Sequence, residues 1–210
     1  MSLLKTEIKK VLKRSLGDFF KQYGYKFDSK VGGFIRPFSG GFNQIGFAIY
    51  DYRPKFLIAP YFLIRIDRVE EIVQKHVFVL EQYKDAAYSI NIGIDHFTGI
   101  KEYEVTTEDQ LCEVLNQIKD IYSSKIELFL KRYSDIKNLN DALNDERALT
   151  NKMVEPDNRI RAIIIAKLSN NPNFEFIADN YYESYINEYD QGTGNEAKRI
   201  RATIDYLKLS

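Results

Sequence analysis

The stretch from Gln44 to Ile66, QIGFAIYDYRPKFLIAPYFLIRI, decides the fold class of this chain. Its first half has the alternation of a strand with one apolar face, in which Ile45, Phe47 and Ile49 alternate with Gln44, Gly46, Ala48 and Tyr50. The pair Arg53-Pro54 marks a turn. The almost continuous apolar run from Phe56 to Ile66 then predicts a second strand that is covered on both faces. Within it, Pro60 indicates an edge position or a bulge, because proline donates no ladder hydrogen bond.

The flanking sequence adds helices and further strands to this hairpin. Residues 4–23 carry apolar side chains at spacings of three and four and stop before Gly24, which predicts an amphipathic helix. Residues 88–94 alternate as a strand does, and a shorter strand passes through Tyr103 and Val105. Thr107 and Gln110 resemble a capping box at the start of a long helix that ends near residue 133. The predicted fold is therefore α+β: a mostly antiparallel, twisted sheet of four to six strands flanked by an N-terminal helix and a long helix, plus a C-terminal helical region.

These patterns divide the chain into three segments. Residues 1–135 form the predicted α+β sheet domain. Residues 136–157 are rich in Asn and Asp, hold few large apolar side chains and include Glu155-Pro156, which predicts a connector or a weak helix. Residues 158–210 form a predicted helical region, because three short runs of helical spacing follow one another there.

Composition and charge exclude several classes of protein. Of the 210 residues, 44% are hydrophobic and 29% are charged, with 30 Lys and Arg against 30 Asp and Glu. This excludes a disordered or collagen-like chain, and the net neutrality disfavours nucleic acid as a partner. No apolar run approaches the ~20 residues of a membrane span, and the lysine-rich N-terminus has no signal-peptide core. We expect a cytoplasmic protein that has no membrane partner.

The sequence contains few residues suited to covalent or metal chemistry. Cys112 is the single cysteine, which excludes an intramolecular disulfide and a multi-cysteine zinc site. It adjoins Leu111 and Leu115 in the long helix and is predicted to be a small core residue. His76 and His96 are the two histidines, too few for a histidine-rich metal site. Phosphate-loop, nucleophile-elbow, H-E-x-x-H and C-x-x-C motifs do not occur in the sequence, and we predict no cofactor.

Asp95-His96 is the most suggestive polar pair, since it follows a predicted strand at a place where loops often bind ligands. Asp, His, Thr and Gly also make a good turn without any ligand, and this simpler explanation is retained beside the first. Glu102 and Glu104 are two residues apart on a predicted strand and point to one face. With Asp95 and His96 they define an alternative site for metal-dependent hydrolysis, although a solvated strand edge explains the two glutamates more simply.

The acidic, aromatic run from Tyr181 to Asp190 is the predicted protein-contact surface. Tyrosine combines a large apolar area with a polar tip and is enriched in interface hot spots. The candidate binding residues are Tyr181, Tyr182, Tyr185 and Tyr189, together with Asp95 and His96. The alternative is that Tyr181, Tyr185 and Tyr189, four residues apart, pack on neighbouring helices.

Three short segments carry a family resemblance: FFKQYGYK at residues 19–26, GFIR at residues 33–36 and YSINIGI at residues 88–94. Their order resembles a broad group of uncharacterised bacterial proteins, a domain-of-unknown-function family in which some members look like immunity proteins of polymorphic toxin systems. The resemblance covers roughly the first 130 residues and implies no catalytic residues.

These observations predict a non-catalytic protein-binding protein. The resemblance implies an immunity-type inhibitor with a toxin-like protein partner. Two alternatives stay open, a metal-dependent hydrolase or nuclease and a regulatory module that binds a small ligand. The sequence does not determine the oligomeric state.

Overall fold

The computed structural model describes residues 4–77, 79–144, 158–187 and 194–209, and it has the predicted α+β fold. The strands are β1 (Lys26–Asp28), β2 (Gly33–Phe38), β3 (Gly41–Tyr52), β4 (Lys55–Ile66), β5 (Ile90–Gly93) and β6 (Tyr103–Val105). The helices are α1 (Lys5–Lys21), α2 (Asp67–His76), α3 (Glu81–Lys84), α4 (Asp95–Thr98), α5 (Glu108–Ile121), α6 (Glu127–Tyr133), α7 (Ile136–Asn144), α8 (Arg159–Leu168), α9 (Phe174–Tyr185) and α10 (Asn195–Leu209). A π-helical turn, Tyr122–Ile126, joins α5 to α6. None of the helices in the described ranges is long and apolar enough to cross a membrane.

The sheet has the order β1-β2-β3-β4-β5, and β6 also pairs with β4. β5 pairs with Tyr61–Ile64 and β6 pairs with Phe56–Ile58, both antiparallel, so the two short strands follow one another along β4. Pro60 lies between the two paired stretches, where its carbonyl accepts a hydrogen bond from the N–H of Ile94 at 3.1 Å. Because the N–H and C=O of a strand residue face the same neighbour, the missing donor of Pro60 falls where the adjoining strand is interrupted. This accounts for a proline inside a long strand.

The chain divides into two compact units. The first comprises Met1–Ile64 with Ile90–Lys131, and the second comprises Arg65–Ser89 with Arg132–Ser210. The predicted boundaries at residues 135 and 157 stay a prediction. α7 occupies the first part of segment 136–157, where the sequence predicts a connector or a weak helix, and residues 145–157 lie outside the described ranges.

The core of the first unit is formed by the sheet together with α1 and α5. α1 buries the predicted stripe of apolar residues, namely Ile8, Val11, Leu12, Leu16 and Phe20. The ring of Phe20 lies 4.9 Å from that of Phe34 and 5.0 Å from that of Tyr122, measured between centroids. α5 begins at the predicted capping box, in which the backbone N–H of Gln110 donates to the hydroxyl oxygen of Thr107 at 3.2 Å. The first helix and the long helix are therefore held against one sheet face.

The second unit is helical and has α8 at its centre. α8 buries side chains around most of its circumference, as an interior helix does, and it contacts α2, α7, α9 and α10. Glu70 of α2 is fully buried and accepts hydrogen bonds from the Arg161 guanidinium at 2.9 and 2.8 Å and from the Ser89 hydroxyl at 3.0 Å. A buried carboxylate needs such partners, so this ion pair ties α2 to α8.

Candidate functional site

A buried polar network lies in the first unit, and we call it the Arg36 network; its members are Tyr25, Arg36, Asn43, Tyr122 and Glu127. Nη1 of Arg36 donates to both carboxylate oxygens of Glu127 at 2.8 Å and to the backbone carbonyl of Tyr23 at 3.2 Å. Nη2 of Arg36 donates to Oδ1 of Asn43 at 3.2 Å. The hydroxyl of Tyr122 donates a short hydrogen bond to Oε2 of Glu127. One guanidinium thus joins the sheet to the long helix.

Strand alternation and the π-helical turn place these groups. Phe34 pairs with Ile45 and Arg36 pairs with Asn43, so Arg36 shares the buried sheet face with an apolar neighbour two residues away. Tyr122 and Glu127 are five residues apart, which in an α-helix would separate them by about 140° around the axis. In the wider π turn, the backbone N–H of Glu127 donates a hydrogen bond to the carbonyl oxygen of Tyr122. This turn brings the side chains of Tyr122 and Glu127 to the same side of the helix.

Burial and charge set the protonation states in the network. Burial raises the pKa of Tyr25 to about 12 and raises the pKa of Tyr122 further. Burial also acts to raise the pKa of Glu127, but hydrogen bonds from Arg36, Tyr122 and Lys131 outweigh it and hold that pKa below its ordinary 4.5. The guanidinium of Arg36 stacks 4.6 Å from the ring centroid of Tyr25. At neutral pH the network is an Arg–Glu ion pair with two neutral phenols.

The chemistry available to the Arg36 network is that of a structural support. Donors from neighbouring side chains occupy both carboxylate oxygens of Glu127. The hydroxyl of Tyr25 faces Tyr122 without completing a hydrogen bond of normal geometry to any described residue. Perturbed pKa values arise in structural ion-pair networks as well as in active sites. This network therefore stabilises the first unit, and its shifted pKa values keep Tyr25, Arg36, Tyr122 and Glu127 from changing charge near neutral pH.

The predicted tyrosines of α9 lie in the second unit and differ in exposure. Tyr181 is 5% exposed, and its hydroxyl donates to the carbonyl of Leu143 at 2.9 Å. Tyr182 and Tyr185 are half-buried, with the guanidinium carbons of Arg201 and Arg159 at 5.6 and 5.7 Å from their ring centroids. Tyr189 lies outside the described residues. The role of these tyrosines in binding stays a prediction. Tyr182 and Tyr185 are partly exposed, as a contact with another protein requires.

Asp95 and His96 are exposed on the short helix α4, between β5 and β6. The imidazole of His96 packs against Phe97 and Phe129, with centroids at 5.0 and 5.6 Å. Glu104 instead pairs with Lys55, whose Nζ lies 2.7 Å from its Oε2. Among the described residues, no three His, Cys, Asp or Glu side chains form a group that could hold a metal ion. The alternative hydrolytic site therefore gains no support from the geometry.

The predicted burial of Cys112 is wrong, because the residue is exposed. Leu111, Val114, Leu115 and Ile118 are the side chains that α5 buries. One residue advances an α-helix by about 100°, which turns Cys112 away from the stripe that begins at Leu111.

One further surface, not identified from the sequence, is the sheet face opposite α1 in the first unit. We call it the tyrosine face, and its members are Ile35, Phe42, Tyr50, Tyr52, Leu57 and Tyr61. They alternate along β2, β3 and β4 with the residues of the buried face. Tyr50 and Tyr52 are 47% and 58% exposed, and the others are half-buried. The solvent-facing side of an antiparallel sheet is usually polar, so exposed apolar area here marks a candidate contact surface.

Gly46 allows the tyrosine face to pack closely. A Cβ atom at this position would meet Cζ of Tyr61 at 2.1 Å and its hydroxyl oxygen at 2.3 Å. The tyrosine ring therefore lies directly against the backbone of β3, a close approach that only glycine permits.

The sequence contains a partial signal for the Arg36 network, which it failed to predict. Arg36 stands two residues after Phe34 on an apolar strand, and a charged residue on a buried face requires a partner. That partner is Glu127, which lies within the apolar stripe of the long helix.

Comparison of the chain with protein-family models, with curated proteins and with solved structures gives no match.

Proposed function

We propose that this chain is a non-catalytic protein-binding protein whose contact surface is the tyrosine face. The observation that carries the proposal is the exposure of Tyr50 and Tyr52 at the end of a sheet face that is mostly apolar along three strands, although it includes Gln44 and Lys55. Tyrosine loses little side-chain entropy on binding and supplies 150–250 Å² of burial, on the order of a tenth of a standard interface of about 1,600 Å².

The charges beside Tyr50 and Tyr52 suit the rim of an interface. Nε of Arg53 lies 3.3 Å from Oδ2 of Asp51, and Lys55 pairs with Glu104, so the charged groups at this end of the sheet satisfy one another. An interface core is depleted in free charge and is surrounded by a polar rim. The tyrosine face combines these two properties.

An immunity-type inhibitor held against a toxin is the specific form that we propose, and it rests on the resemblance of the first 130 or so residues. Such a protein acts by occupying its partner and needs a contact surface without a catalytic group. Tyr182 and Tyr185 on α9 form the second proposed contact, argued from their chemistry and their half-exposed rings.

Affinity purification from the source cells tests the proposal. Tagged wild-type protein and the variant Tyr50→Ser/Tyr52→Ser are purified in parallel and their co-purifying proteins are quantified by mass spectrometry. We expect one stoichiometric partner that the double variant loses, since interface tyrosines are hot spots worth about 1–4 kcal/mol each. The variant Leu128→Ser is the control, because Leu128 is 72% exposed and lies on α6, outside the tyrosine face.

Two results distinguish the proposed surfaces. Equal partner recovery by the wild type and the Tyr50→Ser/Tyr52→Ser variant contradicts the role of the tyrosine face. Loss of the partner in Tyr182→Ala or Tyr185→Ala, with recovery in the first variant, assigns the contact to α9 instead.

A further inference from the structure

The outer edge of β3 carries backbone groups that no strand of the described chain pairs. β3 runs from Gly41 to Tyr52, but β2 begins at Gly33, one step past the Phe34–Ile45 pair. β1 pairs with β2, and β4 lies on the other side of β3. Within the described ranges, the second half of this 12-residue strand is therefore open on one side.

Strand alternation identifies the backbone groups that face the open side. The carbonyl oxygen of Ile45 lies 2.6 Å from the place of a Cβ atom built at Gly33, so the N–H and C=O of Ile45 face β2. The same orientation recurs at every second residue, and thus at Ile49 and Asp51, of which Ile49 lies about 10 Å past the last β2 pair along the strand. No turn or loop in the described part of the chain forms a backbone hydrogen bond with these two residues.

Residues 48–52, Ala-Ile-Tyr-Asp-Tyr, carry no protection against the pairing of another strand. Many natural strand edges contain lysine or proline, which hinder such pairing, and this segment contains neither. Asp51 is its single charged residue, and Oδ2 of Asp51 lies 3.3 Å from Nε of Arg53. Because this ion pair is neutral, two copies of the edge can approach without repulsion between net charges.

The side chains of residues 48–52 are complementary to those of a second copy. In an antiparallel pair centred on Tyr50, Ile49 and Asp51 exchange backbone hydrogen bonds, the two Tyr50 rings are opposite, and Tyr52 faces Ala48. Tyr50 and Tyr52 are 47% and 58% exposed, whereas Ala48 is small and half-buried. An aromatic pair stabilises antiparallel strands, and a large ring over a small side chain avoids a clash. Centring the pair on Ile49 instead would bring the second copy against β2.

We infer that this chain forms a weak homodimer in which residues 48–52 of β3 pair antiparallel with the same residues of a second copy. The two sheets join into one, and both tyrosine faces lie side by side on it. Four half-exposed tyrosine rings supply on the order of 300–500 Å² of contact, less than a third of a standard interface of about 1,600 Å². The dimer is therefore transient, with a Kd on the order of 10 µM. It needs no second kind of protein, so its test is separate from that of the proposed partner contact.

Sedimentation velocity of the purified full-length chain tests the inference over a concentration series. We expect the average mass to rise from that of one chain toward that of two, with a midpoint near ~10 µM. Above the midpoint, amide exchange should slow at Ile49 and Asp51, whose N–H groups become paired, more than at Tyr50, whose N–H faces β4. A single-chain mass up to about 1 mM, a hundred times the expected Kd, would overturn the inference. A dimer whose Ile49 and Asp51 amides exchange as fast as in the monomer would also overturn it.

Two charge variants at one exposed position test the register. Tyr50→Lys and Tyr50→Glu each place like charges directly opposite in the dimer, and each should raise the Kd about tenfold. An equimolar mixture of the two should form a heterodimer within about threefold of the wild-type Kd, because opposite charges then face each other.

Tyr88→Lys is the matched control and should not change the Kd, since Tyr88 is 36% exposed and lies outside β3. Wild-type dimerisation by Tyr50→Lys contradicts the proposed pairing, as does a mixture that associates no more tightly than the separate variants.

Discussion

Replacing Glu127 by glutamine removes the charge that balances Arg36 while keeping the shape of the side chain. The side chains of Arg36 and Glu127 are 15% and 11% exposed, so the guanidinium would stay largely out of water. Breaking a fully buried ion pair by removing one partner costs about 3–5 kcal/mol. Glutamine still offers one acceptor and water reaches a part of the site, so we expect a loss of about 2–3 kcal/mol in the free energy of unfolding.

Urea unfolding of the wild type and Glu127→Gln, followed by near-ultraviolet circular dichroism of the tyrosines around the network, measures this loss. The double variant Arg36→Met/Glu127→Leu should recover at least half of it, because no buried charge is left without a partner. Glu104→Gln is the matched control: it breaks the exposed pair with Lys55, whose side chains are 45% and 55% exposed, and should not change the unfolding curve.

The pH dependence of the same measurement identifies the charge as the cause. The pKa of Glu127 is depressed below its ordinary 4.5 in the folded state. Its contribution to stability is therefore complete above pH 4.5 and is lost as the pH falls further, through the folded-state pKa. As the pH falls below 4.5, the difference in the free energy of unfolding between the wild type and Glu127→Gln should therefore disappear. A loss under about 0.5 kcal/mol at pH 7, or an advantage that does not change with pH, would refute the reasoning.

Three further predictions concern local packing, protonation and capping. Gly46→Ala should destabilise the protein by about 1–3 kcal/mol, as overpacking does. In thermal unfolding, Gly46→Ala/Tyr61→Ala should be more stable than Gly46→Ala, because the added methyl group clashes with the Tyr61 ring. Additive losses of stability in the two single variants and the double variant would contradict this contact. In absorbance titration, Tyr25 and Tyr181 should ionise near pH 12 because burial raises their pKa values, and the stability of the fold should fall as the pH rises from about 10 to 12. Tyr25→Phe should remove one of these late transitions, and an unchanged number of them would contradict the raised pKa of Tyr25. Thr107→Ala removes the acceptor of the capping box and should lower the free energy of unfolding by about 1 kcal/mol. Thr106→Ala, one residue earlier, should lower it by less. The reverse order of the two variants in urea unfolding would argue against the cap.

Local sequence signals predicted most of the fold because they act over a few residues. The three- and four-residue spacing of α1, the alternation along β3 and the Thr107 capping box each depend on near neighbours, and each is found in the structure. The π-helical turn was not predicted, because one wide turn leaves the apolar stripe of the long helix almost unchanged. Pro60 predicted an edge position or a bulge, whereas β4 lies between β3 and β5; the proline fits there because the adjoining strand is interrupted at α4.

The candidate sites were harder to predict because they depend on contacts between distant residues. Arg36 and Glu127 are 91 residues apart, and only the three-dimensional structure brings them together. The tyrosine face is likewise assembled from three strands, and the alternation of Tyr50 and Tyr52 alone does not show how exposed they are. Cys112 illustrates the reverse error, since its apolar neighbours in the sequence suggested burial while the helical rotation exposes it.

Site-specific photo-crosslinking in the source cells tests the central claim, that the tyrosine face is a protein-contact surface, most directly. p-Benzoylphenylalanine is introduced at position 52 and, separately, at position 128, where the replaced leucine is even more exposed than Tyr52. The account predicts one adduct of defined mass from position 52 and none from position 128. No adduct from position 52, or the same set of adducts from both positions, would contradict it.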